Sequence, residues 1–537
     1  MLPLKWFPDS VLPDSSAPFH GWVLSWLIPF IVILVIIFYY IFVTIKKRRL
    51  LNEKISEKAG ILIPKIIIVI LGVSAVLSIC NYYDYGVFRY GTFLNEWDVY
   101  HYYTGTKYHK ELGYNDQYGA TAAAQFEFDN KTDTKIKFRD LSTYRQKSVS
   151  AKTLNFKKYK DKFSKKRWDE FVSDINWFKT QFPKKRWELL FKDAGYNGTP
   201  AWSFVVGNLL TKHISIQKTS GRFLLLSLDP LLMLAGLVFI AWAFGIRTSL
   251  IVVIFLGTHY LLSWGELKGG LLRTDFTVFT LISVSLLKKG YSKTAGAVFA
   301  WAIISRVFPV LFLIGPAVRF IYIAAVEKRM EKELFSFFWM CGLVVVIIIT
   351  GSVIYAGSFD LWNQWILKIS HHNAISWDWN IGYQALFDVD IKNGLPSPVN
   401  AQSLLKEEPG LLLYRNITLW AIRFALIVPG VYFAKFLKNY ESFLYSFIFI
   451  FLIISAGYYY YLILTVPLIF FADKLENSLY SAGTIYMFLT GIMGYIFFSR
   501  WHQEFPTYYY MSWMIMGIVV LMLVTGASNA KRLYKHR

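Results

Sequence analysis

The chain has 537 residues, 55% of them hydrophobic and 18% aromatic, and a formal charge of +22. Apolar runs recur along its whole length, which excludes an ordinary soluble protein and specifies a polytopic membrane protein. The basic residues sit on no recognisable nucleic-acid module, so their charge is read as orientation by Lys and Arg in short cytoplasmic loops, with the rest in one long loop facing anionic or phosphorylated lipid.

The first span, Trp22 to Ile45, follows a lead containing Pro and Asp and ends in Lys46-Lys47-Arg48-Arg49. That order predicts a retained helix with its C-terminal end in the cytoplasm, not a cleaved signal. Ile61 to Cys80 then returns outside. Residues 1–82 therefore form an N-terminal pair of helices, 83–222 an extracytoplasmic loop or subdomain, and 223–537 the main transmembrane domain. Cys80 and Cys341 both lie in apolar spans, so no disulfide framework is expected. No His or Cys cluster has metal-ligand spacing, and neither a metal nor a cofactor is implied.

Just past the second span the chain reads Asn95-Glu96-Trp97-Asp98-Val99-Tyr100-His101-Tyr102-Tyr103 and runs on to Gly113-Tyr114. A carboxylate at the membrane boundary is costly unless it is solvated, paired or used. If the segment is extended, a spacing of two puts Glu96 and Asp98 on one side, where they face a single acceptor hydroxyl. The functional reading is a general base beside the membrane. The bland reading is a loop start with two solvated acids.

Within the long loop, Lys165-Lys166-Arg167-Trp168 is echoed by Lys184-Lys185-Arg186-Trp187. These are either helices lying on the membrane surface or two solvated helices of a small subdomain. Further spans are read near 223–244, 248–264, 275–287, 293–307, 308–326, 334–357, 412–435, 441–456, 458–473, 478–498 and 507–527. The expected fold is thus an all-α polytopic membrane protein of about thirteen helices, several short enough to line a cavity. Asp229 precedes Pro230 inside a span, which predicts a local break.

The stretch Gly269 to Pro316 reads Gly-Gly-Leu-Leu-Arg-Thr-Asp, an apolar helix, Lys-Lys-Gly, a small-residue helix and Ser305-Arg306-Val307-Phe308-Pro309. Arg306 is a lone guanidinium in an apolar region and needs a counter-charge. A lipid-phosphate oxygen would serve. So would a structural ion pair with Asp275 or Asp229. His259 and His371-His372 are either a polar site wall or ordinary hydrogen-bonded histidines. Trp377-Asp378-Trp379-Asn380 suits sugar stacking and a membrane-interface belt equally. Tyr458 to Tyr461 and Tyr508 to Tyr510 read as an aromatic belt.

Two of these stretches resemble one family. Asp98 followed by Tyr102-Tyr103 and Gly113-Tyr114 after a transmembrane helix resembles the first external loop of GT-C glycosyltransferases, closest to the polyprenyl-phosphate mannosyltransferases of glycosyltransferase family 87. The 269–316 succession is similar to that family's polar pair, basic turn, Ala-rich helix and Lys-x-Tyr-Pro, with Arg306 in place of the Lys and Phe308 of the Tyr. Arg273 and Asp275 stand where the family usually has Gln and Asn. Gly195 to Pro200 resembles its Tyr-x-x-Pro loop. The resemblance implies a GT-C fold and an inverting hexosyltransferase of a bacterial plasma membrane, with its active site on the extracytoplasmic side. It would move mannose or a similar hexose from a polyprenyl-phosphate donor to a glycan or lipid-linked acceptor. Asp98 would be the base, with Glu96 beside it. Arg306, Arg273 and Lys268 would hold the donor phosphate. Tyr102, Tyr103, His259, His371, His372, Trp377 and Asp275 would bind substrate. The competing readings are a transporter or flippase of lipid-linked saccharides and a non-catalytic envelope-assembly subunit.

Overall fold

The computed structural model describes residues 20–48, 53–88, 92–129, 135–263, 268–373, 378–392, 395–398 and 409–535. Among them, eight helices are long and apolar enough to cross a membrane, from Val23–Lys47 and Ser56–Tyr82 at the start to Ser478–Trp501 and Glu504–Arg532 at the end. Three shorter apolar helices, Ile246–Thr258, Asn439–Ile453 and Tyr458–Ala472, stand at other expected positions. Two more, Asp275–Lys288 and Ser292–Ser305, have 14 residues each. All five fall short of the roughly 20 residues of a straight crossing.

Their sequences explain why they sit inside. The Asp275–Lys288 helix is buried along almost its whole length. Ser292–Ser305 carries small residues where it meets the Lys332–Ala356 helix, and a Cβ on Gly296 would lie 2.1 Å from the Phe337 carbonyl. Only a residue without a side chain lets two backbones approach so closely. Thr219–Phe244 runs unbroken through Pro230. The expected break at Asp229 is therefore absent, and Asp229 instead turns its carboxylate into the protein.

A second apolar core lies outside the helix bundle. It gathers Val99, Tyr100, Trp168, Phe171, Trp187 and Trp202 with Leu271, Leu272 and Ile304 from the later half of the chain. Both basic repeats belong to this unit, and each places its Trp inside and its Arg on an acid. Trp168 Nε1 donates to Glu127 at 2.9 Å and Arg167 pairs with Glu111 at 2.9 Å. Trp187 Nε1 donates to Gln125 at 2.9 Å and Arg186 pairs with Glu96 at 2.9 Å. The repeats are helices of a folded subdomain, with their paired lysines left exposed.

The expectation of pure helix needs one amendment. Among the described residues there are three two-stranded antiparallel ladders, pairing Ile136–Arg139 with Gln146–Val149, Asn380–Ile381 with Ala456–Gly457, and Val389–Lys392 with Leu395–Pro398. Each gives connecting backbone the partners that helices give themselves.

The 30-residue Glu53–Tyr82 helix has the polar subdomain beyond its Tyr82 end. A helix of that length spans about 45 Å. Glu57→Cys and Lys152→Cys are therefore expected to react with an impermeant maleimide from opposite faces of sealed vesicles. Labelling of both from one face would contradict this arrangement.

Candidate functional site

The site is built around the loop from Lys268 to Thr274. A Cβ on Gly269 would lie 2.2 Å from the Phe93 carbonyl, and its φ is +68°, so glycine is required twice over. A Cβ on Gly270 would lie 2.7 Å from Asp98 Oδ2. The two glycines let the loop lie against residues 93–98, where the Asn95 N–H donates to the Gly269 carbonyl at 2.9 Å. Buried loop amides need acceptors. Leu271 N–H donates to Asp98 Oδ2 at 3.2 Å. The N–H groups of Arg273 and Thr274 donate to Asp229 at 2.8 and 2.9 Å, and the Thr274 hydroxyl does so at 2.6 Å.

Asp98 and Glu96 part company. Residues Glu96–Val99 are helical, with the Asn95 side chain capping the Asp98 N–H. Two residues along a helix is about 200° of turn, so side chains at i and i+2 do not face each other. The expectation that both carboxylates share one side is overturned by this helix. Glu96 pairs with Arg186, while Asp98 Oδ1 lies 2.9 Å from Arg273 Nε. Burial raises the Asp98 carboxyl above the usual range, against the lowering pull of Arg273 and the Leu271 N–H.

Tyr102 stands between two guanidiniums. That of Arg273 lies 4.5 Å from its ring centroid, and that of Arg306 lies 5.4 Å away. Arg306 follows the Ser292–Ser305 helix in an extended conformation. It donates to the Ser305 carbonyl at 2.6 Å and the Tyr102 hydroxyl at 3.2 Å, and its Nε has no hydrogen-bond partner. No carboxylate among the described residues reaches ion-pair distance from it. Asp275 is occupied by the Trp202 and Trp301 indoles at 2.7 and 3.1 Å and by the Phe276 N–H at 2.7 Å. Asp229 is taken by the loop. Neither of the two carboxylates considered as structural partners for Arg306 lies at ion-pair distance from it, although Asp275 is near enough for its charge to act on the guanidinium. The Thr199 hydroxyl fixes this corner from the other side, donating to the Ile304 carbonyl at 2.5 Å.

The remaining sequence candidates fall elsewhere. Tyr103 points into the subdomain, where its hydroxyl donates to the Ile214 carbonyl at 3.1 Å. Lys268 lies behind the loop, 3.2 Å from Asp84. There it lines an apolar cavity of about 210 Å³ with Tyr82, Asp229, Met233 and Leu256. His259 is buried among the membrane helices and satisfied by Thr490 at 3.0 Å and the Leu261 N–H at 3.3 Å. It is an ordinary hydrogen-bonded histidine, because no element carries it toward Asp98. His371 is exposed and meets the Tyr144 ring at 5.7 Å. Trp377 and the side chain of His372 lie outside the described residues.

Four neighbours of the site escape sequence reasoning. Tyr459, read as part of an aromatic belt, places its ring 5.3 Å from the Arg273 guanidinium. His101 and Asp193 meet around Trp97, and Lys368 joins them through the Ala194 carbonyl. The Trp97 indole donates to Asp193 Oδ2 at 2.7 Å, and His101 Nε2 lies 3.7 Å from the same oxygen. Lys368 was detectable as a lone cation on the Trp362–Trp365 face of an amphipathic helix. Among the described residues, no group of three or more His, Cys, Asp or Glu side chains is placed to hold a metal ion.

No family profile, curated protein or solved structure matches the chain. The site is therefore interpreted from its own chemistry. Arg273→Met strands Asp98 as a buried charge without its cation, which typically costs about 3–5 kcal/mol. The expected result is a large drop in melting temperature in detergent. Asp98→Asn combined with Arg273→Met should recover most of that loss, and a double variant no more stable than the single one would refute the pairing.

Proposed function

We propose that this chain is a membrane glycosyltransferase of the GT-C kind, moving a hexose such as mannose from a polyprenyl-phosphate donor to a glycan or lipid-linked acceptor. The observation that carries the reading is Arg306, a buried guanidinium beside the Asp98–Arg273 pair with no carboxylate at ion-pair distance among the described residues. Two cations on one tyrosine repel each other, and an anion placed between them removes that cost. A phosphate matches the guanidinium fork and can be bound bidentately. The apolar cavity behind the loop, lined by Lys268, Gly269 and Thr274, offers hydrocarbon surroundings for a lipid chain next to the same loop. The resemblance of the 95–114 and 269–316 stretches to glycosyltransferase family 87 supports the same conclusion.

In this reading an acceptor hydroxyl attacks the anomeric carbon while the bond from that carbon to the phosphate oxygen breaks. The hydroxyl proton passes to Asp98. The departing phosphate keeps the electron pair, and its charge is met by Arg306 and by the face of Arg273 not engaged by Asp98. One displacement inverts the anomeric centre. Lys268 guides the lipid phosphate from the cavity side. Lys46, Lys47 and Arg48 at the end of the first helix support a cytoplasmic end there, and in this reading the site faces the extracytoplasmic side of the membrane.

Purified protein supplied with a panel of radiolabelled polyprenyl-phosphate hexoses and lipid-linked acceptors tests the reading. Asp98→Asn is expected to lower turnover by about 100- to 10,000-fold, the usual worth of a general base. Glu96→Gln should cost much less, since Glu96 is engaged with Arg186. Arg306→Lys should keep part of the transfer and Arg306→Ala little. If Asp98→Asn and Arg306→Ala both transfer normally, the roles given to these two residues fail; if wild type transfers no hexose from any donor, the glycosyltransferase reading fails and lipid-linked saccharide transport or a non-catalytic assembly role takes its place.

The pH profile gives a separate check. Asp98 must be ionised to accept the proton, and its carboxyl is raised by burial. Turnover should therefore fall on acidification through a value above the ordinary aspartate pKa of about 3.9. A rate still flat below that value would exclude Asp98 as the base.

A further inference from the structure

Most carboxylates around the site are engaged. Asp98 holds Arg273, Glu96 holds Arg186, Asp229 holds the loop, and Asp275 holds two indoles. Asp193 differs. Its side chain is 36% exposed, and no Lys or Arg among the described residues lies at ion-pair distance. Two of its acceptor positions are filled, one by the Trp97 indole at 2.7 Å and one by the Ala194 N–H at 2.7 Å. A carboxylate has about four acceptor positions, so the rest are open to a ligand.

The neighbouring groups hold this carboxylate in place. His101 Nδ1 lies 2.8 Å from the Trp97 carbonyl, which only accepts, so Nδ1 carries the proton and Nε2 takes the Tyr118 hydroxyl at 2.8 Å. Burial holds this imidazole below the usual histidine range, against the pull of Asp193, so it remains neutral. Lys368 is buried and donates to the Ala194 carbonyl at 2.7 Å, pinning the residue next to Asp193. Burial brings its ammonium down to about 7, against the pull of Asp193.

Asp193 also belongs to the same site as the proposed chemistry. Trp97, which holds it, is the neighbour of Asp98 on the Glu96–Val99 helix. The Tyr459 hydroxyl lies in the field of both Asp193 and Arg273, and His101 lies in the field of both Asp98 and Asp193. One flank of the site is thus cationic, formed by Arg273 and Arg306. The other presents the partly exposed Asp193 carboxylate, with the buried Lys368 ammonium in its field.

We propose that Asp193 is the acceptor-recognising residue of this site, taking hydrogen bonds from hydroxyls of a neutral saccharide and repelling acceptors that carry a carboxylate or phosphate there. This rests on the transferase reading, which it deepens by naming the acceptor's chemical class. The division of charge carries it: an anionic donor belongs with the two guanidiniums, and a polyhydroxylated neutral group belongs with an open carboxylate. Lys368 is a positioning residue that holds the turn at residues 193–195.

The test measures sugar binding directly, so it does not depend on turnover. Full-length protein in nanodiscs is titrated with methyl mannoside and with the corresponding methyl hexuronate, read by saturation-transfer NMR. Wild type should favour the neutral sugar. Asp193→Asn should weaken its binding by about tenfold or more and bring the hexuronate level with it, while Asp193→Glu should keep the preference for the neutral sugar. Lys368→Met should weaken binding of the neutral sugar less and leave the charge preference intact. Melting temperature confirms that each variant is folded. If Asp193→Asn fails to fold, Asp193→Glu decides, and loss of the neutral preference there counts against the proposal. Unchanged binding and preference in folded Asp193→Asn would overturn it. Absence of hexose transfer by wild type from any labelled donor is a different failure, which removes the transferase reading.

Discussion

The structure depends on how one buried loop satisfies its backbone. Residues 268–274 cross between the helix bundle and the polar subdomain, and all but Gly269 are buried. Asp98 takes one N–H and Asp229 takes two, from opposite sides. The loop in turn sends Arg273 back to Asp98. Unpaired buried amides and charges each cost several kcal/mol in apolar surroundings. These contacts therefore form as a set, and the set fixes Asp98 relative to the membrane helices. Gly269 and Gly270 permit it because a side chain at either would collide with residues 93–98.

Much of this architecture is legible in the sequence because it follows from hydropathy. Apolar runs and basic ends locate the long helices, and Asp98, Arg273, Asp275 and Arg306 stand out as charges in apolar surroundings. The geometry between them is not legible. Glu96 and Asp98 diverge because the segment is helical, a choice set by the Asn95 cap and by Arg186, about ninety residues later in the chain. Asp229 looked like a helix break because Pro230 disfavours helix before it. In the structure the helix continues through Pro230, and the carboxylate is committed to loop amides. Asp193 carries no local signal at all, since its role is defined by Trp97 and His101, both far away in sequence.

The subdomain can be understood as a clamp on the stretch from Glu96 to Glu111. Its two basic helices reach the stretch from both ends, Arg186 at Glu96 and Arg167 at Glu111 and the Lys107 carbonyl. Such contacts on a surface would be worth little. Here they are partly buried, and the Arg167 and Arg186 guanidiniums also lie over the Tyr108 and Trp97 rings. The repetition of Lys-Lys-Arg-Trp is thus a repeated solution to one packing problem: the Trp anchors the helix and the Arg ties down an acid of the segment beneath.

Between those two ties the backbone departs from the regular α-helix. Tyr100–Thr104 forms a π-helical turn, and Gly207–Thr211 forms another. The segments around them interlock, with the Thr106 and Thr211 hydroxyls 3.0 Å apart and no room for a Cβ on Gly207 beside the Thr106 carbonyl. A π turn inserts a residue into the helical register, and such insertions recur at functional sites. Consecutive side chains of this turn serve the two sides of the segment. Tyr102 is delivered to the two arginines, while Tyr103, next in sequence, is sent to the subdomain core. The irregular turn follows from fastening one short segment to a membrane loop on one face and a folded subdomain on the other.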